Sequence, residues 1–498
     1  MISIPAYTVT IADQRAIVEQ QFESVAMGRH EVYPISFARF EAEAGVSAQV
    51  EARMEAEPPL DSPWRVQSWR ETVCTDQISA TFRTTVDLHE PGMTVIDRHG
   101  AASLLLQALP PEATLDGIED LHPVVDWGVV PDPETDQTVA IQEALDRCAA
   151  EHPGSTLYFP AGIYRLGTLR IPSQLTVHLA REARLVAIPD PALFPLDSKT
   201  DYPVPPEIPD GLERDARGRF IYFDGCEDSH LTGQGIIEGA GLHIRKHREA
   251  FGNINGIRID RSRNCSISGI TFIDSGFWAI HIYRSEHIKV ENVTVLNPTV
   301  FTSDGIDVDS SRHVDVRGCF IHTGDDAFIV KHTAMKRGHA FAPEDIQFSD
   351  SFLLSGATAM KLGSESLTDF FQSIRFRDIH VGNLAISSGR AIALELKDHA
   401  HMRDIGWERI RVDGVNRLAD LSVLQRSDAS VRFGHISDVT LQDIECGPII
   451  DPIRFYGRDA QHRLVGIRLD NIRMNDRRLS EADRAGMELN AFADISID

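Results

Sequence analysis

The chain has 498 residues, 42% of them hydrophobic, with 49 basic and 74 acidic side chains and a net charge of −25. That length permits two or three domains, and the composition is globular rather than disordered. The acidic balance argues against sequence-independent nucleic-acid binding, which needs basic surface, and no apolar run approaches the roughly 20 residues that cross a bilayer.

The N-terminus, Met-Ile-Ser-Ile-Pro-Ala-Tyr, has neither a basic region nor an apolar core of the signal-peptide kind. As written, the chain is expected to be soluble and cytoplasmic; export to the periplasm or the medium is the alternative if a leader had been removed. Residues 1–120 carry alternating stretches at Gln77–Asp87 and Val95–Asp97 and an apolar run at Ala102–Ala108, broken at Pro58-Pro59 and Pro110-Pro111. They are expected to form an N-terminal, mainly β, sandwich-like domain. A second domain, 121–498, begins at Leu121-His-Pro-Val-Val-Asp-Trp-Gly128.

Thr135–Cys148 has the period of an amphipathic helix. Thr135 or Asp136 can cap it, and Val139, Ile141, Ala144 and Leu145 form its apolar stripe. Such a helix would plug the open end of a coil and cover an unpaired strand edge. Residues 188–218 are Pro-rich and charged without periodicity. A loop of that length usually has a function, and it is placed at one end of a groove.

From Cys265 onward the sequence repeats. The pattern apolar-x-apolar-x-x-apolar-x-apolar occurs at Cys265–Phe272, Ile288–Val295, Val314–Ile321, Ile346–Leu353, Ile374–Val381, Ile405–Val412, Val439–Cys446 and Ile467–Met474. Successive copies start 23, 26, 32, 28, 31, 34 and 28 residues apart. Each reads as two short strands meeting at a bend that often holds Asn, Asp or Gly. A further strand precedes each copy, as in Gly256–Ile259, Ala279–Ile282, Gly305–Val308 and Ala327–Val330. Three short strands per unit of over 20 residues predict stacked turns, a right-handed parallel β-helix. Propeller blades are longer, about 40 residues. Cys265, Cys319 and Cys446 fall on ladder positions and read as buried small hydrophobes. No spacing of the six cysteines suggests a disulfide framework or a metal site.

Against this frame, Ser-Asp304-Gly-Ile-Asp307-Val and Gly-Asp325-Asp326-Ala-Phe-Ile-Val are equivalent corners of adjacent turns. Parallel strands lie about 4.8 Å apart, so Asp304 and Asp326 should stack, with Asp325 one residue earlier. Asp and Asn are common at such corners because their side chains satisfy bends. Three crowded carboxylates are different: like charges push pKa values apart, and glycosidic cleavage needs one acid protonated and another ionised. Lys361 projects outward in the following turn, with Glu365 just beyond and Lys331 beside the acids. Trp278 and His281 stand one turn before Asp304. His313, His322 and His332 share no ligand spacing, so neither metal nor cofactor is expected.

These residues carry a resemblance. Over roughly residues 121–480 the chain resembles the family 28 glycoside hydrolases, the polygalacturonase-like β-helix enzymes. Phe159-Pro-Ala-Gly-x-Tyr164 looks like the entry to such folds, and Asp304-Gly-x-Asp307 followed by Asp325-Asp326 is the more specific match. The resemblance implies a pectin-lyase-like fold and inverting hydrolysis of a carbohydrate, with Asp325 as general acid and Asp304 and Asp326 activating water. It also shows departures. The family usually reads Gly-His-Gly-x-Ser-Ile-Gly-Ser where this chain has Gly356-Ala-Thr-Ala-Met-Lys-Leu-Gly-Ser364. The family's Arg-Ile-Lys carboxylate clamp falls in Ala391–Lys397, where Ala393 or Glu395 replaces the Arg and Lys397 survives in one register. The candidate substrate contacts are therefore Asp307, Lys331, Lys361, Glu365, Lys397, Trp278 and His281, on a pectin-like uronate or a neutral α-glycan. A polysaccharide lyase or epimerase acting on a uronate is the second reading. A non-catalytic glycan-binding coil is the third, because scaffold does not fix function.

Overall fold

The structure is a computed structural model. It describes residues 120–197, 217–298, 302–333, 340–382, 389–427 and 432–498, parts of 103–118 and, further upstream, a series of strands. The chain divides into two compact units, Met1–Asp116 and Gly117–Asp498. In the first, a four-stranded antiparallel sheet holds Tyr7–Ile11 and Val46–Met54, and a six-stranded sheet holds Ile35–Glu41 and Ser103–Leu109 as a parallel pair. Phe37, Val95, Leu104, Leu105 and Leu106 are buried there.

The second unit is built from two long sheets of 21 and 11 strands, almost wholly parallel. The chain passes alternately from one to the other, turn after turn, as in a pectin-lyase-like β-helix. The repeat is the register. Cys265, Ile288, Val314, Ile346, Ile374, Ile405, Val439 and Ile467, the first residues of the eight copies, pair successively in one column. Alternate residues along each strand point inward and are buried, which is why the period-two pattern fills a core. The bends also recur. Gly269, Asn292, Gly318, Asp350, Asp378, Arg409, Asp443 and Asn471 all have positive φ, between 47° and 76°. Seven of the eight are Gly, Asn or Asp, the residues that tolerate this region best. A Cβ on Gly318 would lie 2.2 Å from the Asn292 side chain one turn back, so a larger residue here would have to displace that side chain. From Glu344 onward the two half-strands run as single strands of 11 or 12 residues through the bend, giving two strands per turn rather than three.

The helix spans Thr138–Glu151, three residues later than expected. Asp136 Oδ1 accepts the Thr138 N–H at 2.9 Å, so the expected cap acts from outside the helix. Ile141, Ala144, Leu145 and Cys148 are its buried face. Val139 is 70% exposed and leaves the predicted stripe, because two residues from Ile141 is about 200° around the helix, on the opposite face. Of the predicted loop, 188–197 is described: Asp190 caps a short turn over Pro191–Leu193, and the Asp197 carboxylate pairs with Arg219 and Arg258. Its placement at a groove end rests on 198–216, which lie outside the described residues.

Inside the coil Phe328, Phe348, Phe376 and Trp407 form a stack with ring centroids 4.7, 4.9 and 5.3 Å apart. Trp407 is wholly buried. Trp407→Ala is expected to cost about 3–5 kcal/mol, the scale of a large aromatic deleted from a packed core. A urea titration would show it as a lowered midpoint.

Candidate active site

The 11-stranded sheet places the acids. Its strands Ile280–Tyr283, Ile306–Asp309, Phe328–His332 and Thr358–Ser366 are consecutive neighbours. Ile306 pairs with Phe328, and the Gly305 N–H donates to the Asp326 carbonyl at 2.9 Å. Asp304 and Asp326 therefore occupy the same corner of adjacent turns. Trp278 holds that corner one turn before and Thr358 one turn after. A Cβ on Gly305 would come within 2.5 Å of the Ala327 carbonyl, so Gly is what lets the turn after Asp304 sit this close.

Asp304 and Asp326 are each 5% exposed, while Asp325 is half-buried and reaches the surface. Asp325 Oδ2 accepts the Thr302 N–H and its Oδ1 the Asp326 N–H, both at 3.1 Å. Two lysines divide the acids between them. Lys361 Nζ lies 2.6 Å from Asp326 Oδ2, whose other oxygen accepts the Thr358 N–H at 2.9 Å. Lys331 Nζ lies 2.6 Å from Asp307 Oδ1 and 3.6 Å from Asp304 Oδ2, and 3.8 Å from the centre of the Trp278 ring.

This arrangement separates protonation states. Burial, then the Asp307 and Asp325 charges, drives Asp304 well above the ordinary carboxylate range, with Lys331 opposing. Burial pushes Asp307 up to about 7 against the pull of Lys331. Burial and then Asp326 push Asp325 up to about 6. Burial opposes charge on the lysines, but Asp307 and Asp304 outweigh it at Lys331, and Asp326 and Glu395 at Lys361, so both ammonium groups are held firmly.

The remaining expected contacts fall in different places. Glu365 is half-buried and near enough to Lys331 to act on its charge, with Arg426 Nη1 3.8 Å from its Oε1. Lys397 is more open than Lys331 and Lys361, 3.4 Å from Glu395 Oε2. His281 and Asp307 sit in the outward column that also holds Lys361, yet both are fully buried. His281 stacks on Tyr283 and its Nε2 is 3.2 Å from Asp309 Oδ2, so its ring is engaged within the wall of the coil. Asp307 is covered in the same way and acts on Lys331. Trp278, 7% exposed, offers its face to the Lys331 ammonium. The adjacent turns at 299–301 and 334–339 lie outside the described residues.

One residue of the site escaped the sequence reading. Arg390 stands in the corner column one turn beyond Thr358, donating to Thr358 Oγ1 at 3.0 Å and pairing with Glu395 Oε1 at 2.5 Å. Burial opposes charge on Glu395, but Lys361, Arg390 and Lys397 hold its carboxyl down at about 2. A guanidinium thus returns to the groove five residues before Glu395. Only the strand register could reveal it.

Comparison with known proteins agrees with this geometry. The family described as Glycosyl hydrolases family 28 matches residues 210–337, which include every acid of the cluster. The family described as Rhamnogalacturonase A/epimerase, pectate lyase-like matches 122–177, the first turns. A probable polygalacturonase of Vitis vinifera is 30% identical over 289 residues, 55% of this chain and 56% of that protein. The chain thus spans about half the length of the curated relatives it matches. The family 28 exopolygalacturonase of Yersinia enterocolitica superposes with a TM-score of 0.53 at 16% identity, over 87% of this chain and 90% of the other. The polygalacturonase of Erwinia carotovora does so with 0.53 at 16% identity, over 74% and 95%. At those identities the two structures speak for the fold alone. Over the matched residues, which carry the acids, the chain is similar to the family 28 glycoside hydrolases and to polygalacturonases.

Proposed function

We propose that this protein hydrolyses glycosidic bonds in a pectin-type polysaccharide by single displacement. One observation supports this most: three aspartates from adjacent turns meet, Asp325 with its proton affinity raised and open to the surface, Asp326 paired with Lys361. Asp325 gives its proton to the glycosidic oxygen as the bond from that oxygen to the anomeric carbon breaks. A water on the opposite face of the sugar forms the new bond to that carbon, and Asp326 takes the proton it sheds. Asp304, buried and itself inclined to hold a proton, positions this water by hydrogen bonding. Lys361, Arg390 and Lys397 line the same stretch of groove, and their donors suit the carboxylates of a galacturonan-like chain.

The test is incubation with polygalacturonate, with products read by anomer-resolving NMR. Fresh reducing ends of inverted configuration are expected. An unsaturated product absorbing in the ultraviolet would instead establish the lyase reading, and binding without cleavage the adhesive one. The acid must be protonated to act, and its folded value lies near 6. Therefore kcat/KM should be sustained below that pH and fall about tenfold per unit above it. A plateau persisting to pH 8 would remove Asp325 from the role.

A further inference from the structure

Where the coil begins, several turns before the acids, a second cluster has no part in this chemistry. Asp120 and His122 flank the start of the strand Leu121–Pro123, and His152 is the residue that ends the helix Thr138–Glu151. His122 Nε2 lies 2.8 Å from Asp120 Oδ1, and His152 Nδ1 lies 3.7 Å from the same oxygen. One donor atom from each of the three residues falls within 4.8 Å of the other two. The imidazoles face each other with centroids 4.1 Å apart, and Trp127 stands edge-on to both.

We propose that Asp120, His122 and His152 bind a divalent transition-metal ion of the zinc class, which fastens the first strand of the coil to the end of its capping helix. Two imidazole nitrogens and one carboxylate oxygen are a donor set suited to zinc and its neighbours, whereas calcium and magnesium favour oxygen alone. A hydrogen bond accounts for the approach of His122 to Asp120. It does not account for His152, whose Nδ1 aims at the same oxygen from beyond hydrogen-bond range. An ion between the three would engage both rings at once. A water can complete the coordination, since Asp120 and His152 are both open to solvent. The sequence gives no hint of it: Asp-x-His followed 30 residues later by a lone His matches no metal-binding spacing.

The experiment is a thermal melt of the full chain with zinc chloride, alongside Asp120→Asn and His152→Ala, with the visible absorption of cobalt(II) as a second readout. Zinc is expected to raise the melting temperature of the parent in a saturable way, reversed by chelator. Both variants should melt near the metal-free parent, lose the zinc shift and lose the cobalt spectrum. Absence of a shift in the parent at millimolar zinc would overturn the proposal. So would a shift and spectrum kept in both variants, which would put the ion on other histidines. A variant that does not fold leaves the other variant and the parent's cobalt spectrum to decide. None of these readouts depends on glycosidic cleavage, so the site stands or falls apart from the proposed activity.

Discussion

Asp325→Asn is expected to lower turnover at least about a hundredfold, the scale of a lost general acid. Asn keeps the size of the side chain and an acceptor for the Thr302 N–H, so the groove should keep its shape. What disappears is the proton. The loss should be smallest on a substrate whose leaving group departs without protonation, and that comparison separates acid catalysis from binding. Stability gives a second check. The folded value of Asp325 is about 6, above that of an ordinary carboxyl. Its ionisation therefore weakens the fold as pH rises through that range, and Asn removes the weakness. At pH 8 the variant should melt no lower than the parent. Near-parental turnover would reject the assignment; lost turnover together with a lower melting temperature would point to damage of the fold instead.

Lys361→Met should act on both fold and function. It leaves the buried Asp326 carboxylate without the ammonium 2.6 Å away. Breaking a buried pair from one side costs several kcal/mol because an uncompensated charge remains; with Lys361 itself 16% exposed, about 3 kcal/mol is expected. Turnover should fall as well, since the Asp326 base would lose the ammonium contact that fixes it. The double variant Lys361→Met/Asp326→Asn removes both charges and should recover most of the stability while remaining inactive. Chemical denaturation and turnover on the same samples measure the two effects. A single variant within about 0.5 kcal/mol of the parent, the ordinary range of a surface change, would show that the pair is solvated and does not hold the base.

What the sequence determined is the winding. The positions Cys265, Ile288 and Val314 announced a register that the strands follow residue by residue, and Asn292, Gly318 and Asp350 marked its bends. With one turn stacked on the next, Asp304 and Asp326 had to share a corner, because parallel pairing carries sequence equivalence into spatial adjacency. These are local patterns repeated, and local patterns survive in a linear string. Only the tertiary structure decided how charge is distributed around them. Lys331 could have met any of four acids; packing gave it Asp307 and Asp304 and left Asp326 to Lys361. His281 lies in an outward column and still ended fully buried, since outward in a strand means away from the core and not toward water. Arg390 entered the site from two turns beyond Asp304's partner, and His152 came to Asp120 across a helix. Burial, ion pairing and the pKa values they set depend on what surrounds a group in space, and such neighbours are separated by 20 to 35 residues along the chain.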